Sequence, residues 1–328
     1  MTGGDGDEVD ALWSHCIEHR GDDASRGVLA DMLQANGDAR GELFTLQLLP
    51  SDVDSAPARR ARIRELVHEY EHAWLGPLRE IASGASFERG MVKRLELVAM
   101  QPLAIADDRE LWSVEEVVFD RASSGTFYRL LDSPAARSIC RVATGNAEVI
   151  DAIATCRQPI THLACTESFA PGRTHAVGRF MQVVAKRDSI TSIGVWLDGV
   201  DELMRRDWFD RIEHLTVACG MRRGLELWRR LPARTSLTIA TSPGLDTCAR
   251  TFQSDCQLEL RRDGTARVSG EWMLQSLALL DELPSDFTRL ELEDTSEPII
   301  ERIRAAVGGT REIALRGLVG RAGNLRWR

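Results

Sequence analysis

Residues 190–220 read ITSIGVWLDGVDELMRRDWFDRIEHLTVACG, and this stretch contains the pattern that decides the fold. Ile193 and Val195 are separated by one small residue, and Leu215 and Val217 are spaced in the same way at the other end. Alternation with a period of two is typical of a strand with one buried face. Between the two pairs, VDELMRRDWFDRI carries apolar residues at helical spacing. The stretch therefore predicts a strand, a helix and a second strand.

The same unit recurs along the chain from residue 92 onward. Ten β-prone segments each carry two inward residues separated by one outward residue. The first inward residues of successive segments are 22, 25, 21, 30, 22, 22, 21, 32 and 23 residues apart. A strand and a helix roughly every 20 to 30 residues is the period of a leucine-rich repeat, whose strands run parallel in a solenoid. We expect an α/β, leucine-rich-repeat-like solenoid over residues 91–328, with helices on its convex side. The first inward residues are Leu95, Val117, Val142, Leu163, Ile193, Leu215, Leu237, Leu258, Leu290 and Ile313.

The repeats depart from the regular pattern in three ways. The Asn or Cys that usually follows the second inward residue by three positions is missing, so the array is degenerate. The 30-residue interval contains APGRTHAVGRF, which predicts an inserted loop near 169–185. The 32-residue interval contains Asp263-Gly264 between alternating runs, which predicts a β-hairpin within an insertion near 261–285. The final NLRWR (324–328) is too short for a repeat and predicts a terminal cap strand.

The N-terminal third of the sequence has a different pattern of residues. Residues 1–6 are rich in Gly and Asp, and we expect them to be disordered. Residues 7–90 contain short amphipathic helices, with Asp22-Asp23 and Asp38 as N-caps, and a longer helix from about Arg59 to Leu75 that ends at Gly76-Pro77. This region predicts a helical cap domain.

Three segments carry a family resemblance: DDASRGVLADMLQANGDARGELFTLQ (22–47), the helix end WLGPL (74–78) and FERGMVKRLEL (87–97). Together they resemble the bacterial repeat-companion domain, although Leu29 and Met32 replace the aromatic residues that the family usually carries there. The resemblance implies an N-terminal helical domain joined to a repeat array. It implies no enzymatic activity and no cofactor.

Composition restricts the class of partner. A net charge of −9 argues against general affinity for nucleic acid, and no run of 18 apolar residues is present. The seven cysteines are odd in number and lack CxxC spacing, so neither a disulfide framework nor a zinc ribbon is indicated. We expect a cytoplasmic protein that binds neither nucleic acid nor membranes.

The pentapeptide HEYEH (68–72) has the spacing of a zincin helix, in which two His ligands hold Zn²⁺ and the Glu activates water. His68, Glu69 and His72 would fill those roles, with Glu80 or Glu88 as a third ligand. Helical projection instead places Ile63, Val67, Tyr70 and Trp74 on one apolar stripe and turns both histidines to solvent. The preferred interpretation is a scaffold helix without a metal, and a zinc-dependent hydrolase is the alternative.

In an open solenoid, the outward strand residues form the concave face on which a partner would bind. The central outward residues of the middle repeats are small, and Trp196 is the aromatic residue among them. The sequence favours a non-enzymatic interaction or scaffold module that recognises a protein partner through this face. A further alternative is a substrate or regulatory subunit of a separate effector, engaged through residues 169–180. The candidate partner-binding residues are His162, Trp196, His214, Thr216, Thr238, Glu259, Arg261, Glu291, Glu293 and Arg316.

Overall fold

The computed structural model describes residues 4–49, 56–98, 109–119, 124–167, 174–241, 256–270, 283, 287–293, 312–316 and 324–325. These residues form a mixed α/β fold with helices at the N-terminal end. They group into two compact units, one ending at Ile139 and the other beginning at Cys140. The expected boundary between residues 90 and 91 lies inside the first unit, which therefore contains the helical region and the first two predicted repeat strands.

The first unit combines a helical region with a short sheet. Its strand β1 pairs antiparallel with β2, and β2 pairs parallel with β3. Short 3-10 helices cover Gly76–Glu80, Arg109–Ser113 and Pro134–Ala136. The elements are α1 (Gly4–Glu18), α2 (Asp23–Ala35), α3 (Ala39–Leu48), α4 (Ala56–Leu75), β1 (Ala82–Glu88), β2 (Met91–Leu97), β3 (Glu116–Phe119) and α5 (Ser124–Asp132).

The helix boundaries follow local sequence signals, with one correction. Asp22 and Asp38 are N-caps, since their carboxylates accept from Ser25 N (3.1 Å) and Arg40 N (2.8 Å). Gly76, with a φ of +51°, follows the last residue of α4. However, α1 begins at Gly4, so residues 4–6, which were expected to be disordered, belong to a helix. Apparently unfavourable glycines near a helix start are tolerated because the first turn needs no side-chain packing.

Two apolar clusters hold the first unit together. One joins α1, α2 and α3 around Trp13, Leu29 and Phe44, which are fully buried. The other places Trp74 of α4 against Leu43 and Leu66, with Ile63, Val67, Tyr70 and Phe87 packed around them. The stripe predicted for α4 is therefore the face that this helix buries.

The second unit alternates strands with helices. Strands β4 to β8 pair in parallel and in sequence order. The elements are β4 (Arg141–Thr144), α6 (Ala147–Thr155), β5 (His162–Cys165), α7 (Thr174–Lys186), β6 (Ser192–Trp196), α8 (Val200–Leu203), β7 (His214–Ala218), α9 (Met221–Trp228), β8 (Ser236–Thr241), β9 (Cys256–Leu260), β10 (Thr265–Gly270), β11 (Arg289–Glu293), β12 (Glu312–Arg316) and β13 (Asn324–Leu325).

The period-two pattern correctly predicted the strands and their register. All ten segments contain a strand, and in six parallel pairs of neighbouring strands the first inward residues lie opposite each other, as Ile193 and Leu215 do. Nine of these residues, Leu95 through Leu290, are at most 1% exposed, while the side chain of Ile313 lies outside the described part of the chain. Inward alternation thus identifies the buried face.

Strand direction was not predicted correctly everywhere. Strand β9 runs antiparallel to both β8 and β10, so the array is not uniformly parallel. The turn between β9 and β10 is the hairpin that Asp263-Gly264 predicts, with Gly264 at a φ of +81° and Asp263 Oδ1 accepting from Thr265 N at 2.9 Å. Strands β10, β11 and β12 are parallel again, and β13 pairs antiparallel with β12 as the expected short cap strand.

The prediction of a loop near 169–185 is also wrong for most of that range. Residues 174–186 form helix α7, which buries Ala176, Val177, Phe180 and Val184. The Pro-Gly pair suggested a loop, but the apolar residues that follow it recur at helical spacing and bury one face. Residues 169–173 lie outside the described part of the chain.

Candidate functional site

The outward side chains of the second unit lie in rows across neighbouring strands. Register places His162 opposite Ser192, Ser192 opposite His214, and His214 opposite Ser236. A second row contains Ala164, Gly194, Thr216, Thr238 and Glu259 in the same strand order. We call this surface the outward face, and it contains the candidate partner-binding residues whose side chains the structure describes: His162, Trp196, His214, Thr216, Thr238, Glu259, Arg261 and Glu291.

Two histidines on the outward face bond to hydroxyl groups on the next strands. His162 Nδ1 lies 2.6 Å from Ser192 Oγ, and His214 Nε2 lies 3.0 Å from Thr238 Oγ1. Burial lowers the pKa of His162 well below its ordinary value, and the positive charge of Arg141 and the neighbouring His214 lower it further. Burial also lowers the pKa of His214, with Glu259 acting in the opposite direction. Both imidazoles are therefore neutral near pH 7, which suits hydrogen bonding to hydroxyls.

The β9 to β11 end of the outward face is charged. Arg261 Nε donates to Glu259 Oε1 at 2.7 Å, and Arg267 lies 3.4 Å from Glu259 Oε2 and 3.3 Å from Glu291 Oε2. Arg289 pairs with Glu291 at 3.3 Å. Burial tends to raise the pKa of Glu259, but the Arg261 hydrogen bond and the charges of Arg261 and Arg267 outweigh it, so the net shift is downward. The carboxylate is therefore ionised and held in a network.

Trp196 is half-buried, and a hydrogen bond fixes its ring. Its indole Nε1 donates at 3.1 Å to the carbonyl of Thr166, the residue that directly follows strand β5. Trp196 is thus the aromatic residue expected at this surface, and the hydrogen bond holds the Nε1 edge of its ring. A ring fixed in this way presents apolar area without free rotation.

Burial divides the predicted binding residues into two groups. Trp196, His214, Thr216, Glu259 and Arg261 are half-buried, so a partner could contact them. His162, Thr238 and Glu291 are buried, at 8%, 8% and 2% exposure, so little of their side chains is accessible to a partner. Among the small central residues of the middle repeats, Ala143 and Ala164 are also buried, at 5% and 2% exposure. The side chains of Glu293 and Arg316 lie outside the described part of the chain.

The sequence interpretation missed Arg267 as a member of this network. It lies on β10, opposite Glu259 and Glu291, and its neighbours Ala266 and Val268 are fully buried. That alternation was visible in the sequence, but β10 was assigned to an insertion rather than to the sheet. Treating every alternating run as a strand would have found it.

The HEYEH segment lies in the last turns of α4, and its histidines point to solvent. His68, Glu69 and His72 are exposed, whereas Glu71 accepts a hydrogen bond from Ala85 N at 3.0 Å. Within the described ranges, no group of three or more His, Cys, Asp or Glu side chains could hold a metal ion. Glu71 therefore joins α4 to strand β1.

The buried cysteines have the properties of structural thiols. Burial raises the pKa of Cys165 and Cys219 to about 12 in each case. Since the thiolate is the nucleophilic form, these two sulfurs are unreactive near pH 7.

No protein-family model, curated protein or solved structure matches this chain. In the part of the chain that the structure describes, no helix is both long enough and apolar enough to cross a membrane.

Proposed function

We propose that the chain is a non-enzymatic interaction module that binds a protein partner on its outward face. The contact surface in this proposal is a set of half-buried side chains on or directly after strands β6 to β9, which we call the Trp196 patch: Trp196, His214, Thr216, Glu259 and Arg261. The observation that carries the proposal is that these side chains share one face of adjacent strands and are half-buried, whereas Thr238, which lies between Thr216 and Glu259 on the same face, is buried.

We further propose that the strands belong to a degenerate leucine-rich-type array preceded by a repeat-companion-like helical domain. The regular intervals and the matching inward register support this interpretation. In such an array the outward strand face is the surface available for recognition.

The chemistry of the patch suits a protein partner. Aromatic and arginine side chains are the most frequent energetic anchors of protein interfaces, and the patch offers Trp196 and Arg261. Hydrogen bonds already fix Trp196 to Thr166 and Arg261 to Glu259, so less side-chain entropy is lost on binding. A net charge of −9 for the chain disfavours a nucleic-acid partner.

The proposal is tested by comparing two tryptophan variants in quantitative affinity capture. Trp196→Ala removes the anchor from the patch, and Trp208→Ala removes a half-buried tryptophan from the segment Asp207–Arg211, outside the outward face. For a partner whose main anchor is Trp196, we expect about thirtyfold weaker binding to the first variant, equivalent to roughly 2 kcal/mol, and unchanged binding to the second.

Glu259→Ala is the second patch variant, and it tests the charged end. Circular dichroism melting of each variant separates lost binding from lost folding. If every partner of the wild-type chain binds both Trp196→Ala and Glu259→Ala with full affinity, the outward face is not the recognition surface.

The zinc-hydrolase alternative has its own decisive measurement. Metal analysis of the purified protein, beside the double variant His68→Ala and His72→Ala, reports whether the α4 histidines hold zinc. We expect no stoichiometric zinc in either protein. One zinc per wild-type chain that is lost in the double variant would favour the hydrolase over the interaction module. Of the segment 169–180 assigned to the effector-subunit alternative, residues 169–173 lie outside the described ranges and residues 174–180 belong to helix α7, so this alternative stays a prediction.

A further inference from the structure

A cavity of about 180 Å³ lies within the first unit. Its floor is apolar, formed by Cys16 and Ile17 of α1 and by Met91 and Val92 of β2, all of them buried. An apolar cavity of roughly 150 Å³ can hold a benzene molecule, so this one has room for a chain of about four to six carbons.

The walls and rim of the cavity are predominantly cationic. Arg20, Arg26, Arg89 and Lys93 line it, against two carboxylates, Glu88 and Glu115. Both carboxylates are engaged by rim cations: Glu115 accepts from Arg20 at 2.5 Å and lies 3.9 Å from Lys93, which also pairs closely with Glu88. Arg89 is also paired, since its Nη1 lies 3.0 Å from Asp23 Oδ1. The lining contains four cationic side chains against two carboxylates, and Arg26 is the cation whose nearest carboxylate, that of Asp23, lies beyond hydrogen-bond distance.

Arg26 is the buried cation of this lining. It is 4% exposed, and its Nη groups donate to the neutral carbonyls of Cys16 (2.8 Å) and Arg20 (2.6 Å), while the nearest carboxylate oxygen, on Asp23, is 3.8 Å away. Among the described residues, no acceptor bonds its buried Nε. A buried N–H group without an acceptor is destabilising, and an anion in the cavity would reduce that penalty.

Arg89 brings a second guanidinium to the rim from a constrained position. Its φ of +51° is unusual for a residue with a side chain, and its Nη1 donates to the Arg20 carbonyl at 2.9 Å, the same oxygen that accepts from Arg26. One carbonyl thus holds two guanidinium groups at the same cavity.

We propose that this cavity binds an aliphatic carboxylate, with the hydrocarbon on the Cys16, Ile17, Met91 and Val92 floor and the carboxylate toward Arg26 and Arg89. Carboxylates match the planar fork of donors on arginine, and the apolar floor disfavours a small inorganic anion. The ligand is either a free short-chain acid or the C-terminal residue of a polypeptide entering from the open rim. This site is independent of the function proposed for the second unit.

Titration calorimetry on the intact protein tests the site with matched probes. Hexanoate is compared with hexan-1-ol and hexylamine, which have the same chain but a neutral or cationic head. We expect saturable binding of one hexanoate per chain, with at least about tenfold weaker binding of the other two, since a charge-assisted hydrogen bond contributes roughly 1.5 kcal/mol or more. Binding of all three with equal affinity, or no saturable binding of hexanoate at millimolar concentration, overturns the proposal.

A second pair of probes distinguishes the sources of the carboxylate. The tripeptide Ala-Ala-Leu is titrated with a free C-terminus and as its amide. Binding of the free form but not of the amide, in competition with hexanoate, assigns the site to a polypeptide terminus. Binding of hexanoate without either peptide assigns it to a free acid.

Variants locate the binding. Arg89→Gln and Arg26→Gln are each expected to weaken hexanoate binding about tenfold, whereas Arg79→Gln, an exposed arginine of the same unit outside the cavity, leaves it unchanged. Arg26 also bonds the last carbonyls of α1, so Arg89→Gln keeps the test valid if Arg26→Gln does not fold. Hexanoate binding that neither folded variant weakens would place the ligand elsewhere and remove the proposal.

Discussion

Arg40 shows how one residue can fix the packing of the first unit. It is 3% exposed, donates to Glu110 Oε2 at 2.6 Å and to the Gly90 carbonyl at 2.9 Å, and its guanidinium lies 4.5 Å from the centre of the Trp13 ring. A buried ion pair gains little over an apolar pair, but loss of one partner leaves a buried charge uncompensated.

We therefore predict that Arg40→Ala lowers the free energy of unfolding by roughly 3 to 5 kcal/mol. The double variant Arg40→Met and Glu110→Leu should recover a large part of that loss, because neither charge remains buried. Urea titration followed by circular dichroism measures both values. A double variant no more stable than Arg40→Ala would show that the cation–ring contact, rather than the ion pair, carries the effect.

Gly90 and Gly37 illustrate two different reasons why a position requires glycine. Both have positive φ, +78° and +74°, but a Cβ on Gly90 would lie 2.0 Å from the Phe44 ring, whereas a Cβ on Gly37 meets nothing within 4 Å. We predict that Gly37→Ala costs about 1 kcal/mol of unfolding free energy through its backbone alone, and that Gly90→Ala costs at least about 2 kcal/mol more through overlap with the ring. Equal losses in urea titration would mean that Phe44 moves aside freely.

At the scale of elements, α3 and α4 protect the free edge of β1. An unpaired strand edge invites association with other chains. Here Glu71 of α4 accepts from Ala85 N at 3.0 Å, and Gln47 of α3 donates to the Phe87 carbonyl at 2.8 Å. The HEYEH helix thus has a structural role for its second glutamate, a role that the metal-binding pattern did not suggest.

This role predicts different effects for neighbouring residues of the pentapeptide. Glu71→Ala should lower the free energy of unfolding by about 1 kcal/mol, the usual net value of a hydrogen bond, because Ala85 N loses its acceptor. His68→Ala and His72→Ala, at exposed positions one turn apart, should each change it by less than about 0.5 kcal/mol. Chemical denaturation at pH 7 measures all three. A larger loss for either histidine variant would contradict the scaffold interpretation of α4.

At the scale of the whole chain, the sequence was most informative where one physical rule acts alone. Burial of one strand face requires period-two alternation, so the inward residues and their register, such as Leu163 opposite Ile193, could be predicted. Alternation contains no information on direction, because a reversed strand buries the same residues, and the antiparallel pairing of β9 with β8 was therefore missed.

The candidate site was predicted less well because exposure depends on neighbouring side chains. The alternation correctly placed His162, Thr238 and Glu291 on the outward face, but they are buried by hydrogen-bonded neighbours that come from other strands. Sequence spacing along one strand cannot report this crowding. The accessible part of the face became visible only with the side chains in place.

Two histidines of the outward face, the buried His162 and the half-buried His214, give the folding stability of the chain a predicted pH dependence. The folded-state pKa values of His162 and His214 lie below their ordinary value of 6.5, chiefly because of burial. As the pH falls through 6.5, the unfolded chain therefore takes up protons before the folded one does, and stability decreases. Each histidine contributes up to about 1.4 kcal/mol per pH unit between pH 6.5 and its folded pKa.

Urea titrations at pH 7.5, 6.5 and 5.5 measure this dependence. Stability should change little between the first two values and fall clearly at the third, where Glu and Asp side chains are still ionised in the unfolded chain and contribute less. The variant His162→Asn keeps a polar group beside Ser192 without a titrating ring, and we expect it to reduce the slope below pH 6.5. The exposed His19→Asn is the matched control and should leave the slope unchanged. If His162→Asn has the wild-type slope, the buried imidazole of His162 does not control the loss of stability in acid.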